Sequence, residues 1–316
     1  DFYRVIKPME MFGQTIKSKN NFLPIKINGT KYPRPIDFLE KKGSAQVKSC
    51  VLLSAMKTPG ITKIKCIPSR DHTERLFKYL KLPITIKKEK NFEIISFNGK
   101  KNYKGFNYII PGDISSSSFF IVLTLLSKNS KILIKNVNIN KSRTGIIDIL
   151  KKMKAKISIK NKSRISGESI GDIYVSSSKL KSVSVSKTII PRLIDELPIL
   201  FVAASFADGI SKFEGLEELK FKESDRLNSM TIALQNSGVI IKQKKNSLMI
   251  TGKKLQPGGS IIKTFNDHRI AMSMLIFGLA SEKKIIIDEE KMIKTSFPNF
   301  KEILNSIGAK IEFISK

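Results

Sequence analysis

A helix, a short break and a strand rich in Ile and Lys recur along this chain at long and nearly equal intervals. Five copies are visible, at residues 9–16, 76–86, 147–159, 230–241 and 300–313. Their break positions lie 68 to 84 residues apart and are Gly13, Lys81, Lys154, Gly238 and Gly308. In the last copy Ile303 and Ile307 keep helical spacing, and Ile311 and Phe313 then alternate as in a strand. Because similar units at a near-constant period bury their helices together, the pattern predicts a fold of repeated α/β units.

The chain is also long enough for two domains. A length of 316 residues exceeds what one hydrophobic core usually serves. Between the second and third copies lies the segment 110–118, where Pro and Gly interrupt the preceding strand before an apolar run begins. We therefore predict one domain at 1–111 and a second at 112–316. The first copy starts almost at once, so we also expect a further unit to precede Asp1.

Composition excludes several classes of protein. With 41% hydrophobic residues and 19 Phe the chain is globular, and its apolar runs are too short to span a membrane. The formal charge is +30, but only nine of the 57 basic residues are Arg and the Lys residues are spread evenly. This spread favours a compositional bias over a nucleic-acid surface. Cys50 and Cys66 are too few for a disulfide framework, which favours a reducing, cytoplasmic location.

Two segments place an Arg in the first turn of a predicted helix. The segment 218–226 is interpreted as a strand, a polar loop and a helix that opens near Ser224 or Asp225, and 265–273 has Asp267 as its expected N-cap. Arg226 and Arg269 follow at once, where a cation opposes the helix dipole. The arrangement favours an anion bound at each helix start. A third polar cap opens the apolar helix after residue 43.

Carboxylates stand close to these cations in the sequence pattern. Asp195 and Glu196 precede a strongly apolar segment that must be buried. A carboxylate there, near several cations, stays ionised and can act as a general base, a role we assign to Asp195, whereas a capping role suits Glu196. The two histidines, His72 and His268, lack the spacing of metal ligands. We therefore predict no metal site.

Six short segments resemble one known family, and they occur in its order. They are 44–48 (SAQVK), 70–74 (RDHTE), 140–145 (NKSRTG), 195–198 (DELP), 222–226 (KESDR) and 267–272 (DHRIAM). The chain resembles the 5-enolpyruvylshikimate-3-phosphate synthases across essentially its whole length, and the first two segments resemble the bacterial class II branch.

This resemblance implies a fold and a reaction. The expected fold class is α/β, a two-domain inverted α/β barrel of six βαβαββ units with the active site in the cleft, of which the first unit is missing here. The implied enzyme is a transferase of the shikimate pathway, which serves chorismate and aromatic amino-acid biosynthesis. Its N-terminal Gly-Asp-Lys segment and Gly-rich loop would lie before Asp1, so we expect this chain alone to have little or no turnover.

The resemblance also assigns roles to individual residues. Shikimate-3-phosphate would be bound by Ser44, Ala45, Gln46, Arg70, Asp195 and Lys222. Phosphoenolpyruvate would be bound by Gln46, Arg226 and Arg269. Asp195, Lys222 and Glu223 would be the catalytic residues: Asp195 takes the proton of the attacking hydroxyl, Lys222 contacts the ring hydroxyls, and Glu223 transfers a proton at the methylene carbon. The implied enzyme uses no metal or organic cofactor, and we expect a monomer with small-molecule substrates only.

Two other functions remain open from the sequence. One is the sister enzyme that transfers enolpyruvyl to UDP-N-acetylglucosamine, although no cysteine lies in a plausible lid loop. The other is a non-catalytic basic binding protein, which clustering of Lys residues on one face would favour.

Overall fold

The computed structural model describes residues 2–99, 102–312 and 314, and it has a mixed α/β architecture. The chain divides into two compact units. Unit 1 contains the described residues up to Ile110 together with Arg164–Glu168, and unit 2 contains Pro111–Ser163 and the described residues from Ser169 onward. Among the described residues, no helix combines the length and the apolar character that crossing a membrane requires.

The described residues of unit 1 form three helices and six strands. The helices are α1 (Tyr3–Met11), α2 (Ala45–Met56) and α3 (His72–Tyr79). The strands are β1 (Thr15–Lys19), β2 (Phe22–Asn28), β3 (Asp37–Glu40), β4 (Gly60–Cys66), β5 (Ile84–Glu89) and β6 (Phe92–Gly99). Strands β1 and β2 form a separate hairpin, and the other four form a sheet in the order β3-β4-β6-β5. Apolar side chains of α2, α3 and this sheet form the core, in which Phe77 and Phe97 are in ring contact.

Unit 2 is the larger unit. Its helices are α4 (Ile114–Leu126), α5 (Gly145–Lys152), α6 (Leu197–Ser205), α7 (Arg226–Asn236), α8 (His268–Ala280), α9 (Lys291–Ser296) and α10 (Phe300–Ser306). Its strands are β7 (Lys131–Asn138), β8 (Lys156–Ile165), β9 (Glu168–Ser176), β10 (Ser184–Val185), β11 (Gly209–Glu214), β12 (Ile240–Lys244), β13 (Ser247–Gly252), β14 (Ile261–Ile262) and β15 (Ile286–Ile287). The end of β8 and the first residue of β9 are grouped with unit 1. Every residue of helix α6 is buried, as expected for a segment with apolar side chains on all its faces.

One supersecondary arrangement is present in both units. In unit 1 the elements run β3-α2-β4-α3-β5-β6, and in unit 2 they run β10-α6-β11-α7-β12-β13. The two sheets have matching orders, β3-β4-β6-β5 and β10-β11-β13-β12. In each sheet the first pair of strands is parallel and the other pairs are antiparallel. The repeated α/β unit expected from the sequence period is therefore a strand–helix–strand–helix–strand–strand unit.

The five break positions share one backbone conformation. Gly13, Gly238 and Gly308 have positive φ, as glycines after helices often do. Lys81 and Lys154 also have positive φ, 54° and 67°, although each carries a Cβ. The sequence period therefore marks a left-handed turn that recurs at the end of each of these five helices, even where the residue is not glycine.

Two local expectations were wrong. Residues 217–221, expected to end a strand, form a 3-10 helix whose Leu219 is buried, with its N–H bonded to the carbonyl of Leu216. No strand follows Gly308 among residues 309–312. Instead, the Asn305 side chain bonds both the N–H and the carbonyl of Ile311, which occupies the groups that a strand would use. Phe313, expected in the same strand, lies outside the described residues.

Candidate active site

Asp195 lies at the centre of a charged cluster in unit 2. It occupies a short 3-10 helix, Ile194–Glu196, directly before the buried helix α6. Its Oδ1 atom is 3.5 Å from Lys222 Nζ and 3.5 Å from Arg226 Nη1. Arg269 Nη1 donates a hydrogen bond of 3.1 Å to the main-chain oxygen of Asp195. Three cations from two segments of the chain therefore contact Asp195, two at its carboxylate and one at its main-chain oxygen.

Arg226 is held by further carboxylates and has no exposed side-chain surface. Its Nε atom lies 2.8 Å from Asp267 Oδ2 and its Nη2 atom lies 2.5 Å from Glu223 Oε2. Asp267 is fully buried, whereas the side chain of Glu223 is 49% exposed. Five residues that the sequence analysis singled out therefore lie close together in unit 2: Asp195, Lys222, Glu223, Arg226 and Arg269.

Helix starts bring these residues together, as the cap pattern predicted. Helix α7 begins at Arg226 after Asp225, whose carboxylate accepts from the Asn228 N–H at 3.1 Å. Helix α8 begins after Asp267, which accepts from the N–H of Arg269 at 2.9 Å. Asp267 therefore caps α8 and holds Arg226 at the same time.

The electrostatics of the cluster follow from these contacts. Burial alone would raise the pKa of Asp267, but hydrogen bonds and charge from Arg226 lower it below the usual range. Burial lowers the pKa of His268, and the neighbouring Arg269 lowers it further. Asp267 is therefore ionised and His268 is neutral near pH 7, so that neither adds a mobile proton to the site.

The unit 1 candidates lie at the starts of two helices. Ser44 caps α2, its Oγ atom 3.4 Å from the N–H of Val47, and Ala45 and Gln46 are the first two residues of the helix. Ser44 and Ala45 are half-buried and Gln46 is exposed. Arg70 is half-buried and lies two residues before α3. Within unit 1, Ser44, Gln46 and Arg70 thus place polar side chains at or before helix starts.

The described part of the chain contains no group of three or more His, Cys, Asp or Glu side chains placed to bind a metal ion. Cys50 and Cys66 are both unpaired, and burial raises the pKa of the Cys66 thiol to about 11.

Comparison with known proteins identifies the family. The family model of EPSP synthase (3-phosphoshikimate 1-carboxyvinyltransferase) matches residues 2–304. A 3-phosphoshikimate 1-carboxyvinyltransferase of Petrotoga mobilis is 42% identical over 96% of this chain and 70% of its own length. Another, from Bartonella quintana, is 42% identical over 98% of this chain and 71% of its own length. The chain belongs to the EPSP synthase family.

Solved structures give the same family and the same fold. An EPSP synthase structure from Acinetobacter baumannii superimposes with a TM-score of 0.85 at 35% identity, covering 98% of this chain and 71% of that one. The enolpyruvyl transferase NikO from Streptomyces tendae reaches a TM-score of 0.79 at 14% identity, which shows the fold alone. The chain is thus a transferase-family member with the enolpyruvyl transferase fold, and neither alternative function drawn from the sequence is favoured.

A buried carboxylate of this EPSP synthase family member was assigned wrongly. Glu196 makes no side-chain cap on α6. Its carboxylate accepts a hydrogen bond from Ser115, which in turn accepts one of 2.6 Å from Arg143 Nη2. Glu196 is fully buried, and burial raises its pKa although Arg143 opposes the shift. The network supports the main chain next to Asp195.

Sequence reasoning missed three other polar contacts. The first is the Asp267–Arg226 pair described above. The second joins His72 Nδ1 to the buried carboxylate of Glu168 at 2.5 Å, with Arg75 Nε 3.9 Å from the same carboxylate. The third is a buried pair between Lys48 and Glu74. The one available signal was that Lys48, His72 and Glu74 belong to the two motifs at 44–48 and 70–74.

Proposed function

We propose that this chain supplies the base and the substrate-binding residues for transfer of the enolpyruvyl group of phosphoenolpyruvate to the 5-hydroxyl of shikimate-3-phosphate, with release of inorganic phosphate, a step of the shikimate pathway. One observation carries the proposal: the Asp195 carboxylate lies 3.5 Å from both Lys222 and Arg226, while Arg269 binds its main-chain oxygen. A carboxylate among cations stays ionised and can accept a proton, and the same cations can bind anionic substrates.

The chemistry requires one base and one proton-transfer group. Asp195 takes the proton of the 5-hydroxyl of shikimate-3-phosphate while the oxygen of that hydroxyl bonds to C2 of phosphoenolpyruvate. Glu223 gives a proton to C3 of phosphoenolpyruvate. Loss of a proton from C3 and cleavage of the bond between C2 and the phosphate oxygen then regenerate the enolpyruvyl double bond. Lys222 holds the ring hydroxyls and screens the charge of Asp195.

Arg226 needs a change of partner before it can bind phosphoenolpyruvate. Its guanidinium has no exposed surface and contacts Glu223 at 2.5 Å. Glu223 is half-exposed, so it can leave while the buried Asp267 keeps the guanidinium in place. A substrate anion at Arg226 would replace Glu223 and free it for proton transfer. Substrate binding and activation of Glu223 are then one event.

The unit 1 residues complete the substrate assignments. Ser44, Ala45 and Gln46 offer a hydroxyl, main-chain N–H groups and an amide at the start of α2, which suits a phosphate group. Arg70 adds a guanidinium before α3. In the proposal these residues bind shikimate-3-phosphate, Gln46 also contacts phosphoenolpyruvate, and Arg269 joins Arg226 in binding that second substrate.

The proposal also includes a monomeric, cytoplasmic enzyme. The two cysteines are unpaired, which is usual in a reducing compartment. Light scattering coupled to size-exclusion chromatography measures the oligomeric state, and a dimer mass would contradict that part of the proposal.

The decisive experiment is phosphate release from the two substrates, measured on the product of the complete gene. Asp195→Asn removes the base and is expected to lower turnover by about 10²- to 10⁴-fold. Asp208→Asn is the matched control, since Asp208 is an exposed carboxylate of the same unit paired with Lys181, and it should leave turnover unchanged. Full turnover in Asp195→Asn, or none in the wild type, would contradict the proposal.

A further inference from the structure

Unit 1 buries an ion pair whose two members have no role in the reaction proposed above. Lys48 Nζ lies 2.5 Å from Glu74 Oε1, and the two side chains are 1% and 2% exposed. Neither can touch a substrate. Lys48 ends the motif that begins at Ser44, and Glu74 ends the motif that begins at Arg70. The pair therefore joins the two sequence segments that carry the proposed shikimate-3-phosphate ligands.

The pair also joins the first turns of two helices. The N–H of Lys48 donates to the Ser44 carbonyl at 3.2 Å and closes the first turn of α2. Glu74 lies in the first turn of α3. Beside the pair, the hydroxyls of Ser49 and Thr73 are 2.6 Å apart. Two adjacent contacts thus fix the start of α2 against the start of α3.

Stability does not explain why two charges occupy this position. Burial raises the pKa of Glu74, and the charge of Lys48 offsets this only in part, so the carboxylate is poorly solvated by its surroundings. Replacing a buried ion pair with apolar residues of similar size is often neutral or stabilising. An ion pair nevertheless sets a closer and more defined distance than apolar side chains, which can repack. The geometry of the helix starts is what the pair can supply.

We propose that Lys48 and Glu74 are positioning residues for shikimate-3-phosphate. They hold Ser44 and Gln46, at the start of α2, at a fixed spacing from Arg70 before α3. This inference rests on the proposed function, because it needs those three residues to bind the substrate.

The test separates positioning from stability with a double substitution. Lys48→Met/Glu74→Leu removes both charges and keeps the volume, so the midpoint of urea unfolding should stay at or above that of the wild type. Calorimetric titration with shikimate-3-phosphate should show an affinity about 10- to 100-fold lower, as expected for ligands displaced by a fraction of an ångström to one ångström. The KM for shikimate-3-phosphate should rise more than kcat falls.

Lys65→Gln/Glu89→Gln provides the matched control. This pair also joins Lys to Glu in unit 1, at 3.0 Å, but both side chains are about half-exposed. Its affinity for shikimate-3-phosphate should equal that of the wild type. If the first double variant fails to fold, Glu74→Asp keeps the charge but shortens the side chain, and it should show the same direction of affinity loss.

Two outcomes would overturn different claims. Wild-type affinity in a folded Lys48→Met/Glu74→Leu variant, or in Glu74→Asp, would overturn the positioning role. A wild-type protein that does not bind shikimate-3-phosphate at all would overturn the proposed function instead.

Discussion

The two units each bury a cation against a carboxylate, and the two pairs differ in a way their burial does not reveal. Lys48 and Glu74 in unit 1 are 1% and 2% exposed, and Arg226 and Asp267 in unit 2 are fully buried. The pKa of Glu74 is nevertheless raised, whereas the pKa of Asp267 is lowered. Equal burial therefore leads to opposite preferences for the proton.

The number of donors explains the difference. Asp267 accepts from Arg226 Nε and Nη2, from the N–H of Arg269 and from the hydroxyl of Ser224. Glu74 has the single ammonium of Lys48 as its main compensating group. Desolvation of a carboxylate is offset when several donors replace its water, and it is not offset by one cation.

The difference also separates two uses of a buried pair. The guanidinium of Arg226 connects Asp267 to Asp195 and Glu223, which belong to the proposed catalytic cluster. The Lys48–Glu74 pair connects only the two helices that carry binding residues. We therefore expect the pair in unit 2 to matter for stability and catalysis together, and the pair in unit 1 to matter mainly for geometry.

The largest expected effect comes from breaking the unit 2 pair. Arg226→Met leaves Asp267 buried without its cation, and such a loss costs about 3–5 kcal/mol of unfolding free energy. Urea denaturation followed by circular dichroism measures it. Lys181→Met is the control, because its partner Asp208 and Lys181 itself are exposed, and it should leave the free energy of unfolding nearly unchanged. If Arg226→Met left the free energy of unfolding nearly unchanged, the other hydrogen-bond donors to Asp267 would be enough to stabilise its buried carboxylate.

Stability is expected to change with pH by a smaller amount, and the sign of the change differs between the two units. The folded pKa of Glu74 is above the usual 4.5, so the folded state binds the extra proton, and stability falls as pH rises through the window above 4.5. The folded pKa of Asp267 is below the usual 3.8, so its stabilisation is present above 3.8 and is lost as pH falls below it. Urea midpoints measured against pH should lose the first slope in Glu74→Gln and the second in Asp267→Asn. Loss of the same slope in both variants would contradict the comparison.

Local features of the structure could be predicted from the sequence. The caps at Ser44, Asp225 and Asp267 follow from short-range chemistry, since each side chain bonds an N–H two or three residues away. The helix-ending turns at Gly13 and Lys81 followed from the long period. Such signals need no knowledge of the rest of the fold.

Pairings between distant segments could not be predicted in the same way. Ser115 and Glu196 are 81 residues apart, and Arg226 and Asp267 are 41 apart. The sequence shows that each side chain can donate or accept, but only packing decides which partner it reaches. Glu196 was assigned to a helix cap because the nearest orphan N–H groups were local, whereas the folded chain offered it the hydroxyl of Ser115.

The same distinction accounts for the 3-10 helix at 217–221. Its alternating Leu219 and Phe221 fit a strand as well as a tight helix, and the choice was made by burial of Leu219 against the core of unit 2. The roles assigned to Ser44, Gln46, Arg70 and the unit 2 residues came from family resemblance, and they stay predictions until substrates are tested.

The smallest expected change in stability concerns the cap of α2, and it sharpens the comparison between the units. Ser44 Oγ is 3.4 Å from the N–H of Val47, a weak cap. Asp113, which caps α4 in unit 2, lies 2.9 Å from the N–H of Ser116 and also pairs with Arg143. Ser44→Ala should therefore cost about 0.5 kcal/mol and Asp113→Ala about 1–2 kcal/mol, measured by urea denaturation.

We expect Ser44 to contribute more to substrate binding than to stability. If the Ser44 hydroxyl binds the phosphate of shikimate-3-phosphate, Ser44→Ala should lower the affinity for this substrate about 10- to 100-fold, the value of one hydrogen bond to a charged group. Ser44→Thr retains the hydroxyl and should keep most of the affinity, which titration calorimetry can compare directly. A Ser44→Ala variant with wild-type affinity would leave Ser44 as a weak cap and nothing more. A loss of affinity with little loss of stability would show that the cap is weak because its oxygen serves the substrate.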